Sequence, residues 1–340
     1  MIAGSWRSIR LDMISFGSVF LELVFGHLAE LPGPGEEVFT DEFGVSCGGA
    51  VTSASAAAQA GAKAGLCTLL GNDIGSRVVL THCARAGVEL SPSALLPRRC
   101  AGITVVLNFA SDRGFVSHVP PRSAGERPEL DRWYEVLRRE RPRWCYLHAG
   151  PRIPAFIREA QALGAKVVLD MSLGDERNRD PILECLALAD VFVPNEDELI
   201  RLTGAGSFES AVATAMTWRT PLVVKRGAAG AVVAGPDGTA EIREGVQHLR
   251  VRDRTGAGDA FAGALIAELL RGVPLTRAVV AANAAGSAAV GRLGAVGEVD
   301  VAGISTVGPD EMLGDALAVA ASLQAAMAAQ EGRPAMGSEE

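Results

Sequence analysis

Aromatic side chains are scarce in this chain, at 5% of 340 residues, whereas Ala and Gly abound. That supply suits helices packed tightly on a sheet better than aromatic stacking on bases. Basic residues form no run: 32 Lys and Arg stand against 40 Asp and Glu, a formal net charge of -8. Nucleic acid as the main partner is argued against, because phosphate-backbone contacts need clustered cations. A nucleotide is not, since a few backbone amides can hold a triphosphate. The six cysteines (47, 67, 83, 100, 145 and 185) show no CxxC or other ligand spacing, and most lie in apolar stretches. Scattered reduced thiols of this kind point to the cytoplasm rather than to a disulfide framework. Met1–Arg10 has no apolar core of a signal peptide, and the Ala-rich 281–290 stretch is too short for a membrane span. Neither a membrane nor a solenoid repeat is therefore expected. His27, His82, His118, His148 and His248 lack ligand spacing and read as structural or surface residues.

What remains is an ordinary globular mix, 48% hydrophobic and 21% charged. A chain this long exceeds one core, so a large domain with a smaller appendage is expected. Apolar β-branched runs at Met13–Ser18, Leu66–Leu70, Trp144–His148, Lys166–Asp170, Val191–Val193 and Leu222–Lys225 read as buried strands. Between them Ala50–Ala60, Ile74–Ala86, Ile153–Leu163, Pro181–Ala187 and Phe208–Trp218 read as helices. Strand and helix in alternation give a parallel sheet covered on both faces. Glu36–Cys47 is extended without a helix signal. Ile103–Phe109 and Phe115–Val119 read as a hairpin, either a small separate sheet serving as a lid or an antiparallel edge of the main sheet. A last helix is expected over Pro309–Met327, with tails at 1–11 and 330–340.

Asp253–Phe261 (DRTGAGDAF), followed by helical Ala262–Leu270, carries the chemistry. Small residues before a helix leave backbone amides pointing outward, and the helix dipole adds positive potential, which together make an anion site. Asp259 falls at the helix entry, where a carboxylate can take a proton from an attacking hydroxyl while the amides stabilise a transferring phosphoryl group. Alone, the string is also an ordinary cap and turn. It is not a dinucleotide fingerprint, because the third Gly of GxGxxG is absent.

The company it keeps is what distinguishes it. Asp253–Asp259 resembles the C-terminal signature of the ribokinase-like (PfkB-type) carbohydrate kinases, and Gly48-Gly49-Ala50 with the Ala-rich run to Gly61 resembles the N-terminal one. LPGPGE (31–36), GNDIG (71–75), PNEDE (194–198), KRGAAG (225–230) and AANAA (281–285) follow in the family's order, over roughly residues 13–300. The resemblance implies a three-layer αβα sandwich with a mostly parallel central sheet and a small β lid. The kinase domain would cover 12–330, with lid segments at about 19–47 and 101–120. It implies a transferase using ATP and Mg2+ on a small sugar-like substrate, and a homodimer formed through the lid.

By the same resemblance, Asp259 is the general base, and Gly256, Ala257 and Gly258 supply anion-hole amides. Asn195 and Glu198 match the family's NxxE element and would position Mg2+ through water, a role suited to a hard cation that keeps its waters. Lys225, Gly227 and Gly230 would line the triphosphate path, and Asn283 would lie beside the adenine. Asp253 would sit near a monovalent-cation loop, with K+ the expected ion. Asn195–Glu198 is equally an acidic first helical turn favoured by the dipole without any metal.

Glu22 stands where the family's substrate-binding Asp is usual, and Ser53 where Asn is usual after Gly48-Gly49. Both departures bear on substrate choice rather than on phosphoryl transfer. Two rivals to a sugar kinase stay open. One is a nucleoside kinase with Phe39, Phe43 or Phe109 stacking on the base. The other is a catalytically silent binding protein of the same fold, against which the intact Gly256, Gly258 and Asp259 argue.

Overall fold

The computed structural model describes residues 10–109, 112–120, 129–172, 179–235, 240–243, 245 and 251–301. The helix expected over Pro309–Met327 and the tail from 330 lie outside them. The first half of the chain comprises β1 (Met13–Phe16), β2 (Val19–Leu28), β3 (Glu42–Gly49), α1 (Ala50–Gln59), β4 (Ala64–Cys67), β5 (Leu69–Gly71), α2 (Ile74–Ala86), β6 (Ala94–Leu96), β7 (Gly102–Phe109), β8 (Arg113–His118) and α3 (Glu129–Glu140). There follow β9 (Trp144–His148), α4 (Ile153–Ala162), β10 (Lys166–Asp170), α5 (Arg179–Leu186), β11 (Val191–Phe192), α6 (Glu196–Thr203) and α7 (Phe208–Met216). The last are β12 (Leu222–Lys225), β13 (Ala231–Ala234), β14 (Ala240–Arg243), α8 (Ala257–Leu270) and α9 (Leu275–Ala289).

The main sheet runs β14-β13-β12-β11-β10-β9-β1-β4. The strands from β12 to β4 are parallel, and β13 and β14 add an antiparallel edge. These parallel strands are apolar on both faces, so both faces need helices. On one face Met13, Tyr146, Val168, Val223 and Leu265 pack together with α8 and α9. On the other, Phe16, Leu147, Leu169 and Val224 pack against α3, α4, α5, α6 and α7. Each fully buried Val, Leu or Phe contributes about 1.5–3 kcal/mol relative to exposure, so the two layers hold the sheet between them. The architecture is the three-layer αβα sandwich.

A second sheet, β3-β2-β7-β8, stands apart from the first. The hairpin of β7 and β8 belongs to this sheet and not to the edge of the main one. Chain economy places it: β2 leaves β1 after two residues, and β3 returns directly into α1. That return requires Gly49, whose φ of 82° is paired with a site where a Cβ would lie 2.4 Å from the Ser18 carbonyl oxygen. The 293–299 loop after α9 backs the second sheet, with Val299 N donating to the Val45 carbonyl at 2.8 Å and Leu293 packed on Val24 and Val106.

One expected strand is divided. Leu66–Leu70 is not continuous: β4 ends at Cys67, and β5 peels away to pair with β6. Glu36–Cys47 forms no helix, as expected, and becomes strand from Glu42. β1 stops at Phe16, where Gly17 and Ser18 turn the chain into the second sheet. Among the described residues no helix is long and apolar enough to cross a membrane.

Candidate active site

The main sheet reverses its winding between β1 and β9: the chain first moves outward to β4, then returns to β9 on the other side of β1. Carboxyl ends of parallel strands at such a point form a crevice for ligands. The start of α8 lies over it. Gly256 is the residue before the helix, with φ 72° and no side chain capping the first amides. A Cβ on Gly256 would fall 2.6 Å from that of Ala295, so only glycine closes this turn. Ala257 N makes a long 3.4 Å bond to the Arg254 carbonyl, and with no side-chain cap the start of this 14-residue helix is left to an incoming acceptor.

Asp259 is the third residue of α8, its side chain 25% exposed. The Tyr146 hydroxyl donates to its Oδ1 at 2.8 Å, and His148 Nε2 lies 3.8 Å from the same oxygen. Tyr146 is fully buried on β9; its oxygen is also 3.1 Å from Asp170 Oδ2 and 3.3 Å from His148 Nε2. Lys225, at the end of β12, donates from Nζ to Asp170 Oδ2 at 2.7 Å. A Cβ on Gly258 would come within 3.1 Å of that ammonium, so the glycine lets the cation lie against the helix start. Amides, dipole and Lys225 together fit a phosphate-bearing ligand, and its negative charge would sit beside Asp259.

Burial alone would raise the Asp259 pKa, but the His148 and Tyr146 contacts and the Lys225 charge outweigh it and hold the carboxyl below its usual range. For Lys225 burial acts downward, and the Asp170 and Glu198 carboxylates more than reverse it, so the ammonium stays charged. His148 follows the same pattern: burial opposes its charge, and Asp259 and Asp170 raise its pKa. With 42% of its side chain exposed, solvent screens part of that attraction.

Asn195 and Glu198 sit at the start of α6, beside Lys225, whose amide donates to the Pro194 carbonyl at 2.8 Å. They form a reciprocal capping box: Asn195 Oδ1 accepts from Glu198 N, and Glu198 Oε2 from Asn195 N, each at 2.8 Å. The structural reading of this pair is thus realised, and it uses one oxygen of each side chain. Burial pushes the Glu198 carboxyl up to about 7 despite the nearby Lys225. Gly227 and Gly230 shape the tight turn from β12 to β13, closed by Arg226 N donating to the Gly230 carbonyl at 2.8 Å. Asn283 is buried on α9, one turn before Gly286, which abuts the Ala257 carbonyl.

Glu22 lies on β2 facing the same space. Its Oε2 accepts from Ala295 N at 3.0 Å, and its Oε1 covers Gly48, where a Cβ would come within 2.0 Å of it. Burial, with Asp253 and Asp259 nearby, pushes its carboxyl up to about 7 against the Ala295 amide and Arg113. Ser53 does not join this group. It is fully buried, with its hydroxyl shared between Ser15 Oγ at 2.8 Å and the Ala50 carbonyl at 3.2 Å, so it ties α1 to β1. The Asp253 carboxylate is also committed: Oδ1 accepts from Thr255 N and Oγ1, and Oδ2 from Gly294 N, which clasps the two loops beside α8.

Three residues escaped the sequence reading: Tyr146, His148 and Asp170. His148, grouped with the structural histidines, stands 3.8 Å from Asp259. The usable signal was polar residues at the carboxyl ends of two buried parallel strands, β9 and β10, where side chains open toward a ligand crevice.

The sequence profile described as pfkB family carbohydrate kinase matches residues 13–301. The chain belongs to this family. It is an ATP-dependent kinase of a sugar or nucleoside. It is 28% identical over 285 residues to the cytidine kinase of Thermococcus kodakarensis, covering 79% of this chain and 92% of that protein. In fold it resembles Arabidopsis thaliana ribokinase complexed with ribose and ATP, at a TM-score of 0.71 and 23% identity, over 85% of this chain and 95% of the other. It likewise resembles a putative ribokinase II of E. coli in complex with ATP and Mg2+, at a TM-score of 0.70 and 22% identity, over 85% and 96%.

Proposed function

We propose that this kinase moves the γ-phosphoryl group of ATP onto a hydroxyl of a sugar, or of the sugar part of a nucleoside, with Asp259 as the base. The carrying observation is a carboxylate held beside an uncapped helix start with the Lys225 ammonium against it. Magnesium-bound ATP supplies the electrophilic phosphorus. Asp259, kept ionised, takes the proton that the attacking hydroxyl gives up. The amides of Gly256, Ala257 and Gly258 and the charge of Lys225 stabilise the oxygens of the transferring group.

In this reading Gly227 and Gly230 let the chain approach the triphosphate, and Asn283 borders the adenine. The second oxygen of Glu198 and the Asn195 side chain would hold Mg2+ through water, where the ion would offset phosphate charge, and their capping bonds fix the two side chains. Asp253 shapes the loop by its clasp, so a monovalent cation there would rely on backbone carbonyls. Glu22, above Gly48 and Gly49, accepts from substrate hydroxyls, and the second sheet serves as the lid, excluding water from the activated phosphate. β8 is the edge strand of the second sheet, with Phe115 and Val116 exposed on its two faces, and this edge is the part of the lid offered to a second copy.

One observation favours a nucleoside over a free sugar. A cavity of about 240 Å³ opens beside His148, walled by Leu130, Trp133 and Arg152 among others. The indole of Trp133 lines this cavity and offers an aromatic wall for a heteroaromatic ring. This wall comes from α3, not from Phe39 or Phe43; the former is 84% exposed and the latter packs on Phe25. The deciding experiment offers ribose, fructose, cytidine and adenosine with ATP and Mg2+, and detects the phosphorylated product by mass. Asp259→Asn is expected to lower kcat by about 10²–10⁴-fold; turnover at the wild-type rate would end the assignment of the base.

A further inference from the structure

The buried polar groups around Asp259 can be counted donor by donor. Asp170 has both carboxylate oxygens supplied without help from Tyr146: Lys225 Nζ reaches Oδ2 at 2.7 Å, and Met171 N reaches Oδ1 at 2.9 Å. A phenol carries one hydrogen and can donate it once. Of its two carboxylate neighbours, Asp259 Oδ1 at 2.8 Å is nearer than Asp170 Oδ2 at 3.1 Å, and it has no other donor so close. His148 Nε2 lies 3.3 Å from the phenol oxygen, and whenever it carries a hydrogen it can donate there, which leaves the phenol O–H for Asp259. Among the described residues no donor reaches Asp259 Oδ2.

We propose that Tyr146 is the positioning residue of the catalytic base: its hydroxyl anchors Asp259 Oδ1 and thereby reserves Oδ2 for the substrate's proton. The assignment rests on the reading of Asp259 as the base. The ring of Tyr146 has no freedom to do otherwise, since it is fully buried among Met13, Val168 and Phe261 between β9 and α8. A carboxylate on the first turn of a helix keeps rotamer freedom unless something pins one oxygen. The charged and titratable groups facing Asp259 are Tyr146 and His148 on β9, Asp170 on β10, Lys225 on β12 and Glu22 on β2. Of these only Tyr146 donates to Asp259 at 2.8 Å.

Tyr146→Phe keeps the ring and removes the donor. With the acceptor found in the substrate panel, kcat is expected to fall about tenfold while KM for both substrates stays within about twofold. Losing a hydrogen bond to the ionised form moves the acid limb of kcat/KM up by about one pH unit. A purely structural tyrosine would leave that limb in place. An unmoved limb, or a loss confined to KM, overturns the proposal. A second measurement needs no turnover and covers a variant that fails to fold. The chain holds 2 tyrosines, at 134 and 146. In a Tyr134→Phe background, 3-fluorotyrosine therefore labels position 146 alone. Its fluorine resonance should titrate with a midpoint below the ordinary Asp range and lose that step in Asp259→Asn; the same step in both proteins overturns the proposal. Wild-type behaviour of Tyr146→Phe beside an inactive Asp259→Asn sinks only the tyrosine's role, whereas an active Asp259→Asn sinks the base itself.

Discussion

Replacing Lys225 by methionine removes the buried cation that faces Asp170, Glu198 and Asp259. Its Nζ stands 2.7 Å from Asp170 Oδ2, with side-chain exposures of only 13% and 4%. At an effective dielectric constant near 20, that separation corresponds to about 6 kcal/mol of attraction before desolvation is subtracted. Desolvation of two buried ions takes back a large part, so the pair's net worth is smaller than the penalty for breaking it. Lys225→Met alone leaves Asp170 buried and unpaired, and should destabilise the protein by about 3–5 kcal/mol. It also removes the charge that restrains Glu198, whose carboxyl should then titrate above 7.

The companion change Asp170→Asn removes the charge left behind. The double variant should therefore be more stable than the two single losses summed, by about 2 kcal/mol or more. Urea unfolding at pH 7, followed through the four tryptophans, gives the four free energies of the cycle. Catalysis should not recover with stability, because the helix start has still lost its cation. Additivity within about 0.5 kcal/mol would refute the coupling and with it the view that Lys225 and Asp170 act as one unit.

Gly49→Ala tests the junction between the two sheets. A φ of 82° and a Cβ forced to 2.4 Å from the Ser18 carbonyl should cost at least about 2 kcal/mol and lower Tm measurably; an unchanged Tm would show that the junction adapts freely. Glu22→Gln tests the buried carboxyl on β2. Its pKa rises on folding from 4.5 to about 7, so the folded state binds the extra proton between those values. Stability is then fully present below about 4.5 and declines as pH rises toward 7, by an amount on the order of 3 kcal/mol. Relative to wild type the Gln variant should gain stability from pH 5 to pH 8, and a constant difference across that range would sink the burial argument.

The main sheet was legible because its strands are apolar on both faces and its helices carry ordinary start and stop signals. Ile74–Ala86 matches at both ends, since Asp73 caps the first turn by accepting from Ser76 N and Gly87 turns left-handed at the last. Errors gathered where the chain changes sheets. Leu66–Leu70 reads as one hydrophobic run, yet Thr68 divides two strands that belong to different sheets. Periodicity reports that a segment is buried, not which neighbour buries it. The hairpin at β7 and β8 was ambiguous for the same reason, and only β2, pairing with both β3 and β7, settles its place.

For the site, local strings exposed the backbone half and hid the side-chain half. A glycine-flanked helix start is a contiguous feature, so 256–259 could be read directly. The groups that set the charge of Asp259 come from positions 146, 148, 170 and 225, on three strands, and no spacing in the chain links them. Lys225 was reached only because its own neighbours form a second glycine turn. The same separation explains the misplaced Ser53. Its position in the motif points to a ligand, but the helix that follows Gly49 turns that hydroxyl toward Ser15 instead. Glu22 was nominated as a departure from the usual Asp, and the structure gives the longer side chain a place: its extra methylene carries the carboxyl over Gly48 to the Ala295 amide. Had residue 48 carried even a methyl group, that route would be closed, so the glycine and the glutamate must be read as one feature.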